Sequence, residues 1–439
     1  SFHTHLPRQL LMAKKTDYGE KFSAIADQTL LGRLPPESRE FISEQAFAYR
    51  FTLQDLRQVT EIARDLQMWG ERTIESVWPE SGGQPKSKQE KQRTLHALVE
   101  TWQRHKAQAN HYPRLEVEPV KQVTAEVALK EKGKLGLGYC PVASPKTRCC
   151  NLLTLDAVDN CGYGCSYCSI QSFFSDNQVF FDPGFADKLA SLDIDPEQTY
   201  HIGTGQSSDS LMWGNSNGVL QAQLEFARRH PNVILEFKTK SANIGHLIKQ
   251  ELPPNIICSW SLNTPTIICN EEHGSASLEK RLDAAKRIAE KGTIVGFHFH
   301  PMVHYDGWEE EYAALFGTLQ SAFDPQQVAM VSLGTLTFIK PVIRQIREQG
   351  VSSQILKMPM VDTEGKLSYP REIKLQLFSH AYNSFNSRWQ DEVFFYLCME
   401  NHNIWRPVFG IEYESNQAFE QAMKHAYTGK VDRLRERQV

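Results

Sequence analysis

The chain has 439 residues and a mass of 50.1 kDa, with 41% hydrophobic, 23% charged and 10% aromatic residues, enough for two or three domains with a sizeable core. Its 48 Lys+Arg against 52 Asp+Glu give a net charge of -4 and an isoelectric point near 6.4, which excludes a globally basic nucleic-acid binder but not a local basic patch. No stretch approaches the roughly 18 apolar residues of a membrane span, and the opening SFHTHLPRQLLMAKK lacks the apolar core of a signal peptide, so the sequence predicts a cytoplasmic protein with no membrane role.

In chain order, residues 1–112 predict an α-helical N-terminal region. FTLQDLRQVTEIARDLQMWG (51–70) and EKQRTLHALVETWQRHK (90–106) space Leu, Val, Ile and Trp at helical intervals. Between them PESGGQPKSKQEKQR (79–93) is polar and aperiodic, a loop running into the next helix. From about residue 150, short apolar runs alternate with amphipathic segments, the pattern of βα units on a parallel sheet. Strands are predicted at Leu152–Val158, Thr199–Thr204, Val233–Thr239, Ile256–Leu262, Ile294–Phe299 and Val328–Thr335. The helices that follow them are predicted at Phe185–Leu192, Val219–His230, Ile244–Lys249, Leu278–Lys291, Trp308–Phe323 and Pro341–Gln349. Six units are too few for the usual eight-unit closed barrel and suit an open (βα)6 one, assigned to 113–350. The cap at 351–439 comprises a hairpin around Glu364-Gly365, a helix at Arg371–Arg388 and a strand within EVFFYLCME (392–400).

The nine cysteines are an odd number scattered through a long chain, a poor disulfide framework. Three fall within eight residues, Cys161-Gly-Tyr-Gly-Cys165-Ser-Tyr-Cys168, just after the first predicted strand. Three thiolates on one short loop suit three irons of a [4Fe–4S] cluster, leaving the fourth iron open. The alternatives are zinc, with Cys149 or Cys150 completing the ligand set, and a redox pair at Cys165 and Cys168.

Cys-x3-Cys-x2-Cys at the end of the first strand of a (βα)6 array resembles the radical S-adenosylmethionine superfamily. That resemblance implies a [4Fe–4S] cluster, S-adenosylmethionine chelated to the open iron, and a 5'-deoxyadenosyl radical that abstracts hydrogen. SWSLN (259–263), LEKRLDAAKRIAEKG (278–292), GFHFHPMVHYDGWEEEY (296–312), SLGTLTF (332–338) and FYLCMENHNIWRPVFG (395–410) resemble the spore photoproduct lyase family more closely. The implied fold is α/β, a partial TIM-like barrel of the radical S-adenosylmethionine type with the helical N-terminal region and the C-terminal cap.

The resemblance assigns Cys161, Cys165 and Cys168 to the cluster, and Gly203, Thr204, Gly205, Ser208, Lys240, Ser261 and Asn263 to S-adenosylmethionine. Tyr167 and Tyr305 are candidate radical-relay residues. Two departures stand against these matches. Authentic spore lyases carry a hydrogen-donor cysteine in Cys-Thr-Ser-Asp, where this chain reads Gln206-Ser207-Ser208-Asp209, and a tyrosine directly after the last cluster cysteine, where it has Ser169. Cys258 or Cys269 could bring a thiol to the cavity instead, with a buried structural role as the simpler reading. His298 and His300 alternate on the fifth strand with His201 on the second, either a second metal site or polar lining.

The expected activity is a carbon–carbon lyase acting on a damaged or modified nucleic-acid base, with DNA and a reductant such as flavodoxin or ferredoxin as partners. A radical enzyme for a peptide or small metabolite, and a zinc-bound nucleic-acid-binding protein without catalysis, are the alternatives.

Overall fold

The computed structural model describes residues 17–80, 87–112, 126–140, 144–170 and 178–439. The opening segment 1–16 and the centre of the polar loop, 81–86, therefore lie outside the described residues. Two compact units are present. One comprises residues 1–108 with 343–358, the other 109–342 with 359–439.

The first unit is helical, with helices Tyr18–Ala26, Pro36–Tyr49, Leu53–Met68 and Lys88–Ala107 as its larger elements. Leu56, Val59, Ile62, Ala63 and Leu66 recur on one face of Leu53–Met68 and are buried. Thr52 and Asp55 close its N-terminus as a reciprocal capping box. Asp65 on the same helix binds Arg347 through both carboxylate oxygens, at 2.9 Å each.

The second unit is built on one curled sheet whose eight strands we number β1 Gly138–Tyr139, β2 Leu153–Leu155, β3 Tyr200–Thr204, β4 Val233–Thr239, β5 Ile256–Ser261, β6 Ile294–Met302, β7 Val328–Thr335 and β8 Phe394–Leu397. Spatial order follows chain order from β1 to β8. β2 to β8 run parallel and β1 joins β2 antiparallel. β5 and β7 are buried along their whole length, because strands covered on both faces carry no polar-out alternation. Between them helix Leu278–Glu290 starts at Ser277, whose hydroxyl accepts from Lys280 N, and buries Ala284, Ala285, Ile288 and Ala289.

The partial barrel predicted from sequence is thus present, with the strand expected in 392–400 as its seventh parallel member. Its two edges are joined by a short ladder in which Arg148 pairs with Glu400 and Thr147 with Asn401. The hairpin lies where expected, Glu364 and Gly365 both taking left-handed φ between strands Val361–Thr363 and Lys366–Ser368. The helix predicted at Arg371–Arg388 is corrected to two, Arg371–Asn383 and Ser387–Glu392, because the Asn386 side chain accepts from Trp389 N and starts a new helix. The first strand is shorter than predicted, and helices Pro265–Glu271 and Asn416–Arg437 were not anticipated.

A candidate cluster and cofactor site at the barrel mouth

The cluster, cofactor and relay candidates picked out by sequence lie at or beyond the C-terminal end of a barrel strand, where parallel βα folds gather their ligands. The cysteine loop follows β2. Cys165 lies in a two-residue strand that pairs with Glu272-His273, and Cys168 N donates to Cys165 O at 3.1 Å. Asn160, at left-handed φ, accepts from Cys161 N through its side chain and turns the chain into the loop. At Gly162 a Cβ would lie 2.7 Å from Met212 Cε, the tip of a flexible side chain, so a larger residue there would displace Met212. Burial pushes the Cys165 thiol up to about 12 and raises Cys161 as well, with Cys168 close enough to add to the rise at both. A metal centre takes such thiols as thiolates, so its binding would release their protons.

A pair of adjacent acids that the sequence reading passed over grips this loop. Glu271 accepts from Ser166 N at 2.9 Å through its carbonyl, and its carboxylate takes the Ser166 hydroxyl and, at 2.7 Å, the Tyr112 hydroxyl. Glu272 accepts from the Tyr167 hydroxyl and, at 2.7 Å, from Arg281, which is fully buried. Burial alone would raise the Glu272 carboxyl, but Arg281 and Lys240 overcome it and hold the group below its ordinary range. Lys240 stands 5.6 Å above the Tyr167 ring. Burial acts to lower its ammonium, and the neighbouring Cys165 and Glu272 reverse that.

The segment after β3 ties three loops together. Ser207 donates to Val158 O at 2.9 Å, reaching the start of the cysteine loop. Asp209 accepts from Leu211 N and Met212 N, from the Thr239 hydroxyl at 2.6 Å and from Lys240 N at 2.7 Å, which fixes where the lysine leaves β4. Gly205 has φ +74, and a Cβ there would lie 2.6 Å from Ser210 N. The Thr204 and Ser210 hydroxyls bond each other at 2.8 Å, and Ser208 accepts from the Trp213 indole at 3.3 Å. Gln206 folds back over Gly203, its Nε2 3.3 Å from where a Cβ would sit.

The remaining candidates are tied to structural partners. Ser261 offers its carbonyl to Arg281 at 2.9 Å. Asn263 is fully buried and its amide is committed to Pro301 O, Thr264 N and the Tyr312 hydroxyl. Tyr305 is 1% exposed and bonds Thr264 and Glu311. Cys258 shares a register position with Phe237 and Val295, on the helix-covered face of the sheet, and its thiol does not face the lumen. Cys269 is exposed on helix Pro265–Glu271.

Deeper in the lumen the histidines form a hydrogen-bonded group. His201 and His298 each bond one oxygen of Glu236, at 2.8 and 2.7 Å, Ser259 donates to Glu236 at 2.6 Å, and His300 bonds Ser332 at 2.6 Å. Burial would raise Glu236, but the two histidine bonds hold it well below its ordinary range. Burial and then Lys238 bring His298 down to about 4. His201 and His298 are thus the two imidazole partners of one buried carboxylate, and among the described residues no three potential ligands converge on a metal position here.

Residues 161–371 match the family model described as spore photoproduct lyase. The chain is 32% identical over 108 residues to a spore photoproduct lyase of Clostridium acetobutylicum, covering 25% of this chain and 32% of that protein. To one from a Geobacillus species it is 27% identical over 179 residues, covering 40% and 51%. The matches thus span about half or less of these relatives' lengths. A solved spore photoproduct lyase double mutant with bound AdoMet and dinucleoside spore photoproduct superposes with a TM-score of 0.54 at 20% identity, over 69% of this chain and 94% of that one. In sequence over 161–371 and in fold, the chain is spore photoproduct lyase-like.

Proposed function

We propose that this chain is a radical S-adenosylmethionine lyase acting on a damaged or modified base in DNA. The observation that carries the reading is the loop of Cys161, Cys165 and Cys168 set at the barrel mouth beside Lys240, within a segment that matches the spore lyase family. When bound, the [4Fe–4S] cluster and S-adenosylmethionine supply a 5'-deoxyadenosyl radical able to take hydrogen from carbon.

The chain's own residues do the positioning. The three thiols hold the cluster, and Glu271 and Glu272 fix the loop that bears them. Gly203 and Gly205 let backbone approach the methionyl group, as only residues without a Cβ do. Lys240, placed by Asp209, offers a cation to its carboxylate, and Ser208 and Ser261 offer hydroxyls to polar groups of the cofactor. Tyr167 has its proton held by Glu272, so its hydroxyl is available for relay only if that bond opens. Gln206 stands where the spore lyases carry their thiol and has no S–H to give, so the last hydrogen must come from another donor. The same reading takes the enzyme to be cytoplasmic and served by a flavodoxin or ferredoxin; among the described residues no helix is long and apolar enough to cross a membrane.

The test is anaerobic reduction of the iron-reconstituted protein with S-adenosylmethionine, assayed for 5'-deoxyadenosine with and without ultraviolet-treated DNA. Deoxyadenosine stimulated by irradiated DNA is the expected result. Formation indifferent to DNA would move the substrate to a peptide or small metabolite. No deoxyadenosine under any condition, from protein carrying its iron, would remove the radical reading.

A further inference from the structure

A second group of cysteines lies where the two edges of the barrel meet. Cys140 follows edge strand β1, its N donating to Leu152 O at 3.0 Å. Cys149 and Cys150 follow the Thr147–Arg148 segment that pairs with Glu400-Asn401, and Cys149 N is fixed at 3.0 Å by Asn416 Oδ1. Cys398 follows β8, its N donating to Leu333 O at 2.8 Å. Two stretches distant in sequence, 140–150 and the residues after β8, thus bring four cysteines to one seam. Cys149 and Cys150 are adjacent in the chain, and Cys140 and Cys149 both lie near enough to Cys398 to act on it electrostatically.

Two further observations point to a ligand. Glu400 is 1% exposed, and while its Oε2 takes Lys374 Nζ at 2.8 Å, its Oε1 is buried and accepts no hydrogen bond among the described residues. An orphaned carboxylate oxygen in a protein interior is costly unless a cation or donor meets it. Lys238, from the lumen, and Lys366, from the hairpin, face the same thiols. Their charges would offset the excess negative charge of several thiolates around one metal.

We propose that Cys140, Cys149, Cys150 and Cys398, with Glu400, form a thiolate metal site at the barrel seam, separate from the Cys161–Cys168 loop and independent of the radical chemistry. The ligand is a thiophilic centre, either a zinc ion or an iron–sulfur cluster, and each thiol that ligates it gives up its proton. Among the described residues no three potential ligands converge on a metal position, at the seam or in the Cys161–Cys168 loop, so in both places binding would draw the thiols inward. At the seam a metal would lock β1 and β2 to β8, closing the sheet with ligand bonds where the backbone ladder has only two residue pairs.

The test uses the full chain carrying Cys161→Ala, Cys165→Ala and Cys168→Ala, so that metal on the first loop is removed. Cobalt(II) added anaerobically should give a thiolate charge-transfer band. Separate loading with zinc, or with iron and sulfide, should leave about one zinc or about four irons per chain after desalting, and whichever is retained identifies the centre. Adding Cys149→Ser and Cys398→Ser should weaken binding at least tenfold, and Cys269→Ser should not change it. If the combined variant does not fold, metal should protect Cys149 and Cys398 from alkylation in the otherwise unaltered chain, as read by mass spectrometry. A folded triple variant that retains no metal, binding indifferent to the serine substitutions, or seam thiols alkylated equally with and without metal would each overturn the proposal.

Discussion

Glu272 shows how a single residue can govern the cysteine loop without being a ligand. It receives Tyr167 and Arg281 together in the interior, so removing its charge leaves a fully buried guanidinium without an anion. Glu272→Gln should cost about 3–5 kcal/mol, the usual loss when one partner of a buried pair is deleted, read as the urea midpoint of the metal-free protein. Replacing both partners by apolar residues should recover much of that, and an equal loss in the double variant would show that the pairing is not the cause. The lumen histidines make a second prediction. His298 titrates near 4 when folded and near 6.5 when free, so between these values the unfolded chain binds a proton that the folded chain refuses. Its contribution to stability is therefore complete above about pH 6.5 and is lost as pH falls towards 4. His298→Asn should reduce the pH slope of unfolding stability in that window by up to about 1.4 kcal/mol per pH unit, and an unchanged slope would reject the assignment. The cysteines were legible because their spacing is local. Glu271, Glu272 and Asp209 were not, since an acidic residue shows its role only once the partners distant in sequence are brought to it.

The turn after β3 separates two kinds of glycine. At Gly205 the backbone is left-handed and a Cβ would meet a backbone nitrogen, which cannot swing aside. At Gly203 a Cβ would meet only the Leu152 and Gln206 side chains at 3.1 to 3.4 Å, and these can shift. Gly205→Ala should thus destabilise by about 1–3 kcal/mol, the cost of a strained backbone position, and weaken S-adenosylmethionine binding, with Gly203→Ala clearly milder in thermal melting. Equal effects would mean the turn is not under the constraint described. Strands β3 to β7 were readable from sequence because buried parallel strands are continuous apolar runs bounded by turns. Helix Asn416–Arg437 was hidden because its buried positions, Phe419, Met423, Tyr427, Lys430 and Val431, include a lysine whose ammonium serves Pro325 O and Val328 O. A charged residue in the apolar stripe blurs the period that identifies an amphipathic helix.

At the scale of the molecule, segment 343–358 leaves the order of the barrel and folds with residues 1–108. Within that unit Arg347 meets Asp65 through both oxygens, Lys357 meets Glu71 at 2.8 Å, Ser353 N donates to Met68 O at 3.0 Å, and Arg64 donates to Arg347 O at 2.7 Å. Ile346, Ile355, Leu356 and Met358 are buried there as well. No periodicity announces such an exchange, because the segment reads as an ordinary helix and loop whichever partner it takes. Cutting the chain before Ala109 should consequently not yield a well-behaved barrel: the fragment keeps an arginine and a lysine whose acids have been removed, together with an uncovered apolar face. Fragment 109–439 is expected to self-associate on size exclusion, and residues 17–108 supplied in trans should restore a monodisperse species by covering that face. A fragment that is monodisperse alone, with the same thermal transition whether or not 17–108 is added, would mean that segment 343–358 needs none of these contacts. The added piece would then carry no share of its stability.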